Sequence, residues 1–557
     1  MGVSAMALAA NYTTRIYPYI LAIFASTVIL LALFTIIGHH PWFPALTTIG
    51  VAISYRLLVM SQPATVVGND LPENAAWIDG VVSSGSTDAI GSSFYAAAPL
   101  HYLYGAQLSL LADLPAEAAL MVYAFALPLV LAPVSIVIAQ QLGLRNTRYL
   151  ALVAILAVIT TEGVRRSYMP ISQSHANIYW WIFIPILIKY VRSPSRQMFG
   201  LLSVTFIILA FTHKLPLLIA SITLIAFLSI SHFGRLINVV DDEEIFKTRT
   251  VFLFSLIAVV MFAQWVFAPV LLEQIMRRIS EFIISLTEPA DTTTFAGPFA
   301  AEPARPGILG TIWEYPTGLG LFIERGHIFW LLLAGGVSWL YLCIRNLRTE
   351  WQPASLIVLS ATAICVAMLS VGFVAVSAMN PTRPLVMIEP LLVAMIVVTL
   401  FALISKLQSR GIGGRQLVLS GAIVLLVLSQ VFAASIAADY ANTPRYYLDA
   451  PEANAQQTLC NASDEEIHTD QTFSQMSYIN QENCDQLTRI SRSAEDPLYN
   501  ANITPDEHEM VAIRNNVDVY LGLEDRWVLT WDPEETLATD YHTIYNNDGV
   551  TAFNSPD

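Results

Sequence analysis

Between Val66 and Gly91 the chain reads VVGNDLPENAAWIDGVVSSGSTDAIG, which places Asp70, Glu73, Asp79 and Asp88 together with no Lys or Arg among them. Carboxylates that lack a neighbouring cation keep their lone pairs available, either to take a proton from a reacting hydroxyl or to help hold a divalent ion. Cations that could answer an anion opposite them lie far away in the chain, at Arg165, Arg166, Lys214 and Arg383. Arginine suits phosphate oxygens because its planar fork donates two parallel hydrogen bonds. A plainer reading of NDLPE stands beside this one: a helix start, with Pro72 in the first turn and Glu73 following.

The elements that would position these groups are membrane helices. Of 557 residues, 55% are hydrophobic and 13% charged, against about 25% charged in soluble domains, and the mean hydropathy is +0.56. Apolar runs near 16–37, 42–60, 115–141, 147–164, 177–191, 199–213, 215–231, 250–272, 327–344, 353–377, 384–405 and 417–438 approach the roughly 20 residues that a spanning helix needs. The expected fold is therefore an all-α transmembrane bundle of about twelve helices over residues 1–438. The first run is too long for a signal-peptide core and is expected to stay in the protein. His213, Lys214 and Pro216 interrupt 199–231 and predict two helices there. Arg56 and Glu389 are the clearest charges within spans; Arg56 is expected to snorkel outward.

Lys and Arg are enriched in short loops on the cytoplasmic side. Loops 142–148, 192–198, 232–249, 345–350 and 406–415 carry such residues and fall on one side of this layout. The other side receives outer loops 61–114 and 273–326, the stretch 165–176 and everything after about Asp439. Arg165 and Arg166 run against the trend. The sequons at Asn11, Asn461 and Asn502 all fall on that outer side. In loop 273–326, EQIMRRISEFIISL has apolar residues at helical spacing, and the Gly- and Pro-rich GPFAAEPARPGILG reads as a mobile cover.

From Tyr440 onward there are 22 Asp and Glu, five Arg and no Lys, a net charge of −17, so residues 1–439 hold +2 of the whole-chain −15. Residues 439–557 are expected to form a small α/β or mostly β extracytoplasmic domain, with strands in EEIHTDQTF, DVYLGL, RWVLTW and YHTIYNNDGVTAFN and a turn at Asn547-Asp548-Gly549. Such acidic, Lys-free surfaces suit a halophilic archaeal cell envelope; an ordinary acidic domain is the plainer reading. Cys460 and Cys484 share the tail, where an oxidising exterior permits a disulfide worth about 3 kcal/mol. Two free thiols fit the spacing equally. Cys343 and Cys365 read as small core residues. His468, Asp470 and His542 match no metal-ligand spacing and read as surface polar residues.

Phosphate-cradling GxxxxGK[ST], HExxH, GxSxG and CxxC motifs are all absent, which withdraws support from nucleotide hydrolysis, zinc proteolysis and the common serine-hydrolase layout. What remains is the acidic loop followed by YAAAPLHYLYGAQLSLLADLP. It resembles the first outer loop of GT-C glycosyltransferases: an Asp soon after an early helix (Asp70), a helical stretch ending in Gly (Gly80 or Gly85), an aromatic residue and Pro opening an apolar helix (Tyr95, Pro99), and a Leu-Pro turn (Leu114-Pro115). RRSYMPISQSHANIYWW, LAFTHKLPLL and NPTRPLVMIEPLLVAM resemble stretches of the same superfamily. The WWDxG motif of oligosaccharyltransferases and the Asp-Glu pair of protein O-mannosyltransferases are missing, which leaves the acceptor open.

The resemblance implies a membrane enzyme moving a sugar, with inversion, from a polyprenyl (dolichyl) phosphate carrier to a glycan, lipid or protein acceptor. Asp70 is then the base and Glu73 the second-choice base or metal ligand. Arg383, Arg165, Arg166 and Lys214 are the cations for the lipid phosphate. Trp77, Tyr95 and His101 would contact sugar or acceptor, although interfacial aromatic belts and core packing also account for such residues. No cofactor is required by these residues and no metal site is complete, so a divalent metal stays open. The expected partners are membrane lipid, the lipid-linked donor and the acceptor, with no nucleic acid. The competing reading is a non-catalytic polytopic membrane protein or transporter with an outer binding domain.

Overall fold

The computed structural model describes residues 2–10, 18–68, 70–236, 253–260, 318–348, 352–374, 382–410, 415–433, 445–463, 465–476, 487–489, 497–515, 517, 520–521, 526–529 and 531–556, with 262, 273, 276–277, 280 and 301–303. Every predicted apolar run except 250–272, which lies largely outside these residues, falls on a helix or helix pair. Among the described residues six helices are long and apolar enough to cross a membrane: Tyr19–Ile37, Trp42–Ser61, Ala116–Gln141, Trp330–Arg348, Pro353–Ser370 and Arg383–Ser409. A bent pair, Thr147–Val158 and Thr161–Tyr168, makes a seventh if counted as one broken span, and Arg196–Ala210, Lys214–Ile230 and Leu417–Val431 are shorter apolar helices. The protein is a multi-pass membrane protein with a small C-terminal sheet domain.

The bend of 48° between Thr147–Val158 and Thr161–Tyr168 has a specific chemistry. Breaking a helix away from water strands carbonyls on one side and N–H groups on the other, and each needs a partner. On the C-terminal side, Arg56 Nη2 donates to Val158 O at 2.7 Å and Thr160 Oγ1 to Ala157 O at 3.1 Å. On the N-terminal side, the Glu389 carboxylate accepts from the N–H of Glu162 and of Gly163, at 3.0 and 2.9 Å. Thr161 completes the set, its N–H donating to Gln430 Oε1 at 3.3 Å and its hydroxyl to Gln430 O at 2.8 Å. Gly163 permits this approach, since a Cβ there would lie 2.7 Å from Thr160 Oγ1 and 3.5 Å from Glu389 Oε2.

Arg56 does not snorkel outward as its place near a helix end suggested. It is fully buried, and its Nε donates to Ser167 Oγ at 2.9 Å and its Nη1 to Ala52 O at 2.9 Å. The broken helix offers internal acceptors that outweigh the route to the surface.

Loops segregate to two ends. At one, Arg192 donates to Gln141 and to Gln352 Oε1 (3.3 Å), and Arg345 Nη2 to Leu142 O (3.2 Å). At the other, Leu100 N donates to Phe211 O (3.2 Å) and Gln173 Nε2 to Arg383 O (2.9 Å), while Gly68 lies against Met169. Residues 196–236 form two helices, Arg196–Ala210 and Lys214–Leu236, as the His213-Lys214 interruption predicts.

The tail folds around a five-stranded sheet of order β3-β2-β4-β8-β7, made of Leu487–Arg489 (β3), Ile467–Thr469 (β2), Met510–Arg514 (β4), Val550–Asn554 (β8) and His542–Asn546 (β7). β2 runs parallel to β3 and β4, and β8 antiparallel to β4 and β7. Asn547 closes the β7–β8 turn, its Oδ1 accepting from Gly549 N and Val550 N at 2.9 and 2.8 Å. The central strand β4, MVAIR, was not foreseen: it is buried at every position and so lacks alternation. Tyr520–Leu521 (β5) and Arg526–Leu529 (β6) form a second sheet with Ala301–Pro303 (β1), so loop 273–326 contributes a strand to the tail. The remainder of GPFAAEPARPGILG and most of EQIMRRISEFIISL lie outside the described residues. Cys460 is disulfide-bonded, Cys343 and Cys365 are free, and Cys484 lies outside the described residues.

Replacing Glu389 with Leu removes two acceptors from buried N–H groups. The thermal midpoint of the purified protein in detergent or nanodiscs should fall, by a stability loss on the order of 3 kcal/mol. Glu389→Gln retains one acceptor oxygen and should lose about half as much.

Candidate active site

Asp70 opens the helix Asp70–Ser84, with Pro72 and Glu73 in its first turn, as the helix-start reading of NDLPE implies. Helical spacing puts Asp70, Glu73 and Trp77 on one face, while Leu71, Asn74, Ala75 and Ile78 are buried on another. Asp70 is exposed and Glu73 half-buried. The helix stops where Gly85, at φ 67°, donates its N–H to Val81 O at 2.9 Å, a C-terminal glycine in the left-handed region. Pro99 then caps Leu100–Ala112, and Leu114-Pro115 turns the chain into the next helix.

Tyr95 sits where the dispersed charges meet. Its phenol lies in the fields of Arg383, Asp70 and Glu73 and is hydrogen-bonded with the Ser172 side chain. Burial pushes the Tyr95 phenol upward, and Asp70 and Glu73 add to this while Arg383 and Ser172 oppose it. The group therefore remains a neutral hydrogen-bond donor. Arg166 feels the charges of Glu162, Arg165, Arg383 and Asp70. Glu162 forms longer ion pairs with Arg165 (3.7 Å) and Arg166 (3.9 Å). Lys214 opens the helix Lys214–Leu236 directly after His213, which feels Arg383, Lys214 and Arg166.

Each cation is delivered by a separate element. The bend supported by Arg56 and Glu389 aims Thr161–Tyr168, with Arg165 and Arg166, toward this end of the bundle. Arg383 enters the helix Thr382–Ser409, its carbonyl held by Gln173 of Ser172–Arg192. His213 is buried in the break before Lys214, where its Nδ1 accepts from Leu215 N at 3.2 Å.

An aromatic platform backs the carboxylates. Trp77 contacts Tyr95 and Tyr102, with ring centroids 5.6 and 5.4 Å apart, and Tyr95 lies 5.7 Å from Tyr102. Tyr102 donates to Asn74 Oδ1 at 2.9 Å, fixing the platform to the Asp70 helix. His101 lies behind this layer, fully buried, with Nδ1 3.0 Å from Tyr123 Oη and its ring 5.9 Å from that of His175. Ser172, Asn74 and Tyr102 were not singled out from sequence; Asn74, four residues after Asp70, was the one with a positional signal.

Among the described residues no three His, Cys, Asp or Glu side chains converge as a metal site. Asp70 and Glu73 place two carboxylates one helical turn apart. In the tail, Asp470 is committed to Arg514 through two bonds of 2.8 Å, and His542 on β7 is separated from His468 on β2 by β4 and β8.

No protein-family model matches the chain, and no curated protein matches it by sequence. Solved structures do resemble it. The archaeal oligosaccharyltransferase AglB from Archaeoglobus fulgidus, in complex with an inhibitory peptide and a dolichol-phosphate, aligns with TM-score 0.52 and 10% identity over 86% of this chain and 70% of that one. An Archaeoglobus fulgidus oligosaccharyltransferase in the apo form gives TM-score 0.53 and 10% identity over 84% and 69%. ArnT from Cupriavidus metallidurans in the apo state gives 0.48 and 12% over 91% and 97%. At these identities the likeness is one of fold, and it extends over most of the chain.

Proposed function

We propose that this protein is a membrane glycosyltransferase that moves a sugar from a polyprenyl phosphate such as dolichyl phosphate to a glycan, lipid or protein acceptor, with inversion at the transferred carbon. The observation that supports the reading is the placing of Asp70 and Glu73 on the helix whose Trp77 packs against Tyr95, with Tyr95 hydrogen-bonded to Ser172 of the helix whose Gln173 holds the Arg383 carbonyl. The oligosaccharyltransferase fold, seen elsewhere with a dolichol-phosphate, supports the donor class.

The acceptor hydroxyl gives its proton to the Asp70 carboxylate as its oxygen forms a bond to the anomeric carbon. On the opposite side of that carbon the bond to phosphate oxygen breaks, and the lipid phosphate leaves with the electron pair. Glycoside hydrolysis needs a second carboxyl to protonate a poor leaving group; a phosphate leaves as a stable anion, so cationic stabilisation replaces the acid. Arg383 and Arg166 supply it first, with Arg165 and Lys214 in support. Glu73 stands by as the alternative base, and Trp77 and Tyr95 offer ring faces to the sugar, with His101 behind them.

The reaction would take place at the outer face. Loops holding Arg192 and Arg345 gather at one end of the bundle, which the positive-inside rule assigns to the cytoplasm. The acidic loop and the tail then stand outside, exposed sequon Asn461 included.

Asp70→Asn should lower transfer in native membranes by about 10²–10⁴-fold at unchanged protein level, read by mass spectrometry of envelope glycans with and without the gene, which also identifies the sugar. Persistent transfer would remove Asp70 as the base. Arg383→Met should weaken binding of dolichyl phosphate by about 2 kcal/mol, roughly 30-fold in Kd, measured by titration of the purified protein; an unchanged Kd would take Arg383 out of the phosphate site.

A further inference from the structure

The segment leading into Asp70 is held by residues from the far end of the chain. Gly68 N donates to Tyr446 O at 2.7 Å, and Leu448 N donates to Thr65 Oγ1 at 2.9 Å, a contact between residues 383 positions apart. Val66 packs against the apolar core of the tail, whereas Tyr447, 1% exposed, is part of the core of the membrane helices. Each side therefore inserts a residue into the other. Gly68 adopts φ 113°, and a Cβ there would lie 3.1 Å from Met169 Cε, so the turn before Asp70 is confined between the tail and the end of the broken helix. Leu71 N returns to Gly68 O at 3.4 Å, carrying that confinement into the first turn of the Asp70 helix.

The strap 445–449 is fastened by buried charge. Arg445, 6% exposed, donates through Nη1 to Asp449 Oδ2 at 3.1 Å and through Nη2 to Glu452 Oε1, and its guanidinium lies 5.7 Å from the Tyr447 ring. Asp449 and Glu452 cap the helix Ala450–Ala462 reciprocally, Glu452 N donating to Asp449 Oδ1 (3.1 Å) and Asp449 N to Glu452 Oε2 (3.0 Å). Glu452 also faces Arg514 at 3.9 Å, and Arg514 on β4 holds Asp470. Burying five charged groups is a poor route to stability, because apolar replacements of the same volume often do as well or better. What such a network does supply is a single geometry, since each carboxylate is bonded from fixed directions.

We propose that Arg445 is a positioning residue for Asp70: it fixes the strap 445–449, the strap holds residues 65–68, and these set where the Asp70 carboxylate stands relative to the cations on the membrane helices. The inference rests on the reading of Asp70 as the base. It assigns the tail a part in the reaction without contact with substrate. Displacement of a reacting group by about 1 Å can cost on the order of 100-fold in rate, and the donor phosphate, held from other elements, should not sense the change.

The test uses the full chain in nanodiscs and in native membranes. Arg445→Met should raise amide hydrogen exchange at 65–71 at least tenfold and lower glycan transfer at least tenfold at equal protein level. The Kd and stoichiometry for dolichyl phosphate should remain within twofold of the parent. Arg445→Lys, which restores one ionic contact, should recover part of the transfer. Should Arg445→Met fail to fold, Thr65→Val removes one acceptor from the same clasp at constant shape and should show the same pattern, several-fold in size. Faster exchange at 65–71 with undiminished transfer would overturn the proposal, as would unchanged exchange, or a loss of transfer matched by an equal loss of dolichyl phosphate binding sites. Transfer that survives Asp70→Asn would instead defeat the base reading and leave the clasp, seen by exchange alone, intact.

Discussion

A helix broken inside a membrane protein leaves backbone groups that water cannot reach, and the rest of this bundle is arranged to meet them. The break after Val158 receives Arg56 from Trp42–Ser61, Glu389 from Thr382–Ser409 and Gln430 from Arg415–Ala433. Three helices are thereby fixed against the bent pair by directional bonds, where apolar packing alone would permit sliding. The two intramembrane charges are of opposite sign and are shared out to opposite ends of the break, the cation to a stranded carbonyl and the anion to stranded N–H groups, in the sense that the helix dipole favours. One consequence is functional geometry: the short helix beyond the bend carries Arg165 and Arg166 toward the loop that holds Asp70.

The charges of the candidate site are separated in sequence for a physical reason. A cation within the Asp70 loop would pair with the carboxylates locally, since groups three and four residues apart on a helix meet readily. Supplying Arg166 and Arg383 from other helices lets folding set the separation between the carboxylates and the guanidinium groups. Tyr95, neutral and hydrogen-bonded with Ser172, lies in the fields of Arg383, Asp70 and Glu73. Glu162 plays a related part for Arg165 and Arg166, at 3.7 and 3.9 Å: it moderates their mutual repulsion through contacts longer than close hydrogen bonds.

Much of this was legible in residue types and little of it in partners. The helix start at NDLPE follows from local chemistry, while the helix ending in Gly and the Pro opening the next helix follow from the family resemblance, and these elements are present at Asp70, Gly85 and Pro99. Arg56 and Glu389 stood out as charges within apolar runs, but their use depends on a break at Ile159-Thr160 that no Pro marks; Thr160 as a cap and Gly163 were the available hints. Strand β4 escaped because burial of all its residues removes the alternation by which strands are recognised. The clasp between 65–68 and 445–449 has almost no sequence signature, since one of its two bonds joins backbone to backbone.

The tail shows how one composition can serve two physical ends. Its 22 acidic residues against five Arg describe a strongly hydrated surface, and net charge cannot distinguish the members that face water from those that do not. Asp449, Glu452 and Asp470 are 2%, 0% and 1% exposed and are answered by two of the five Arg, Arg445 and Arg514. The scarcity of cations makes this pairing more telling. In a domain with so few of them, two buried against three carboxylates are withdrawn from a surface that has little else to balance it. Stability alone does not account for that placement, because an apolar core of equal volume would avoid the desolvation cost. A requirement for one fixed arrangement does, and the arrangement it fixes ends at the residue before Tyr446, whose carbonyl holds the turn that leads into Asp70.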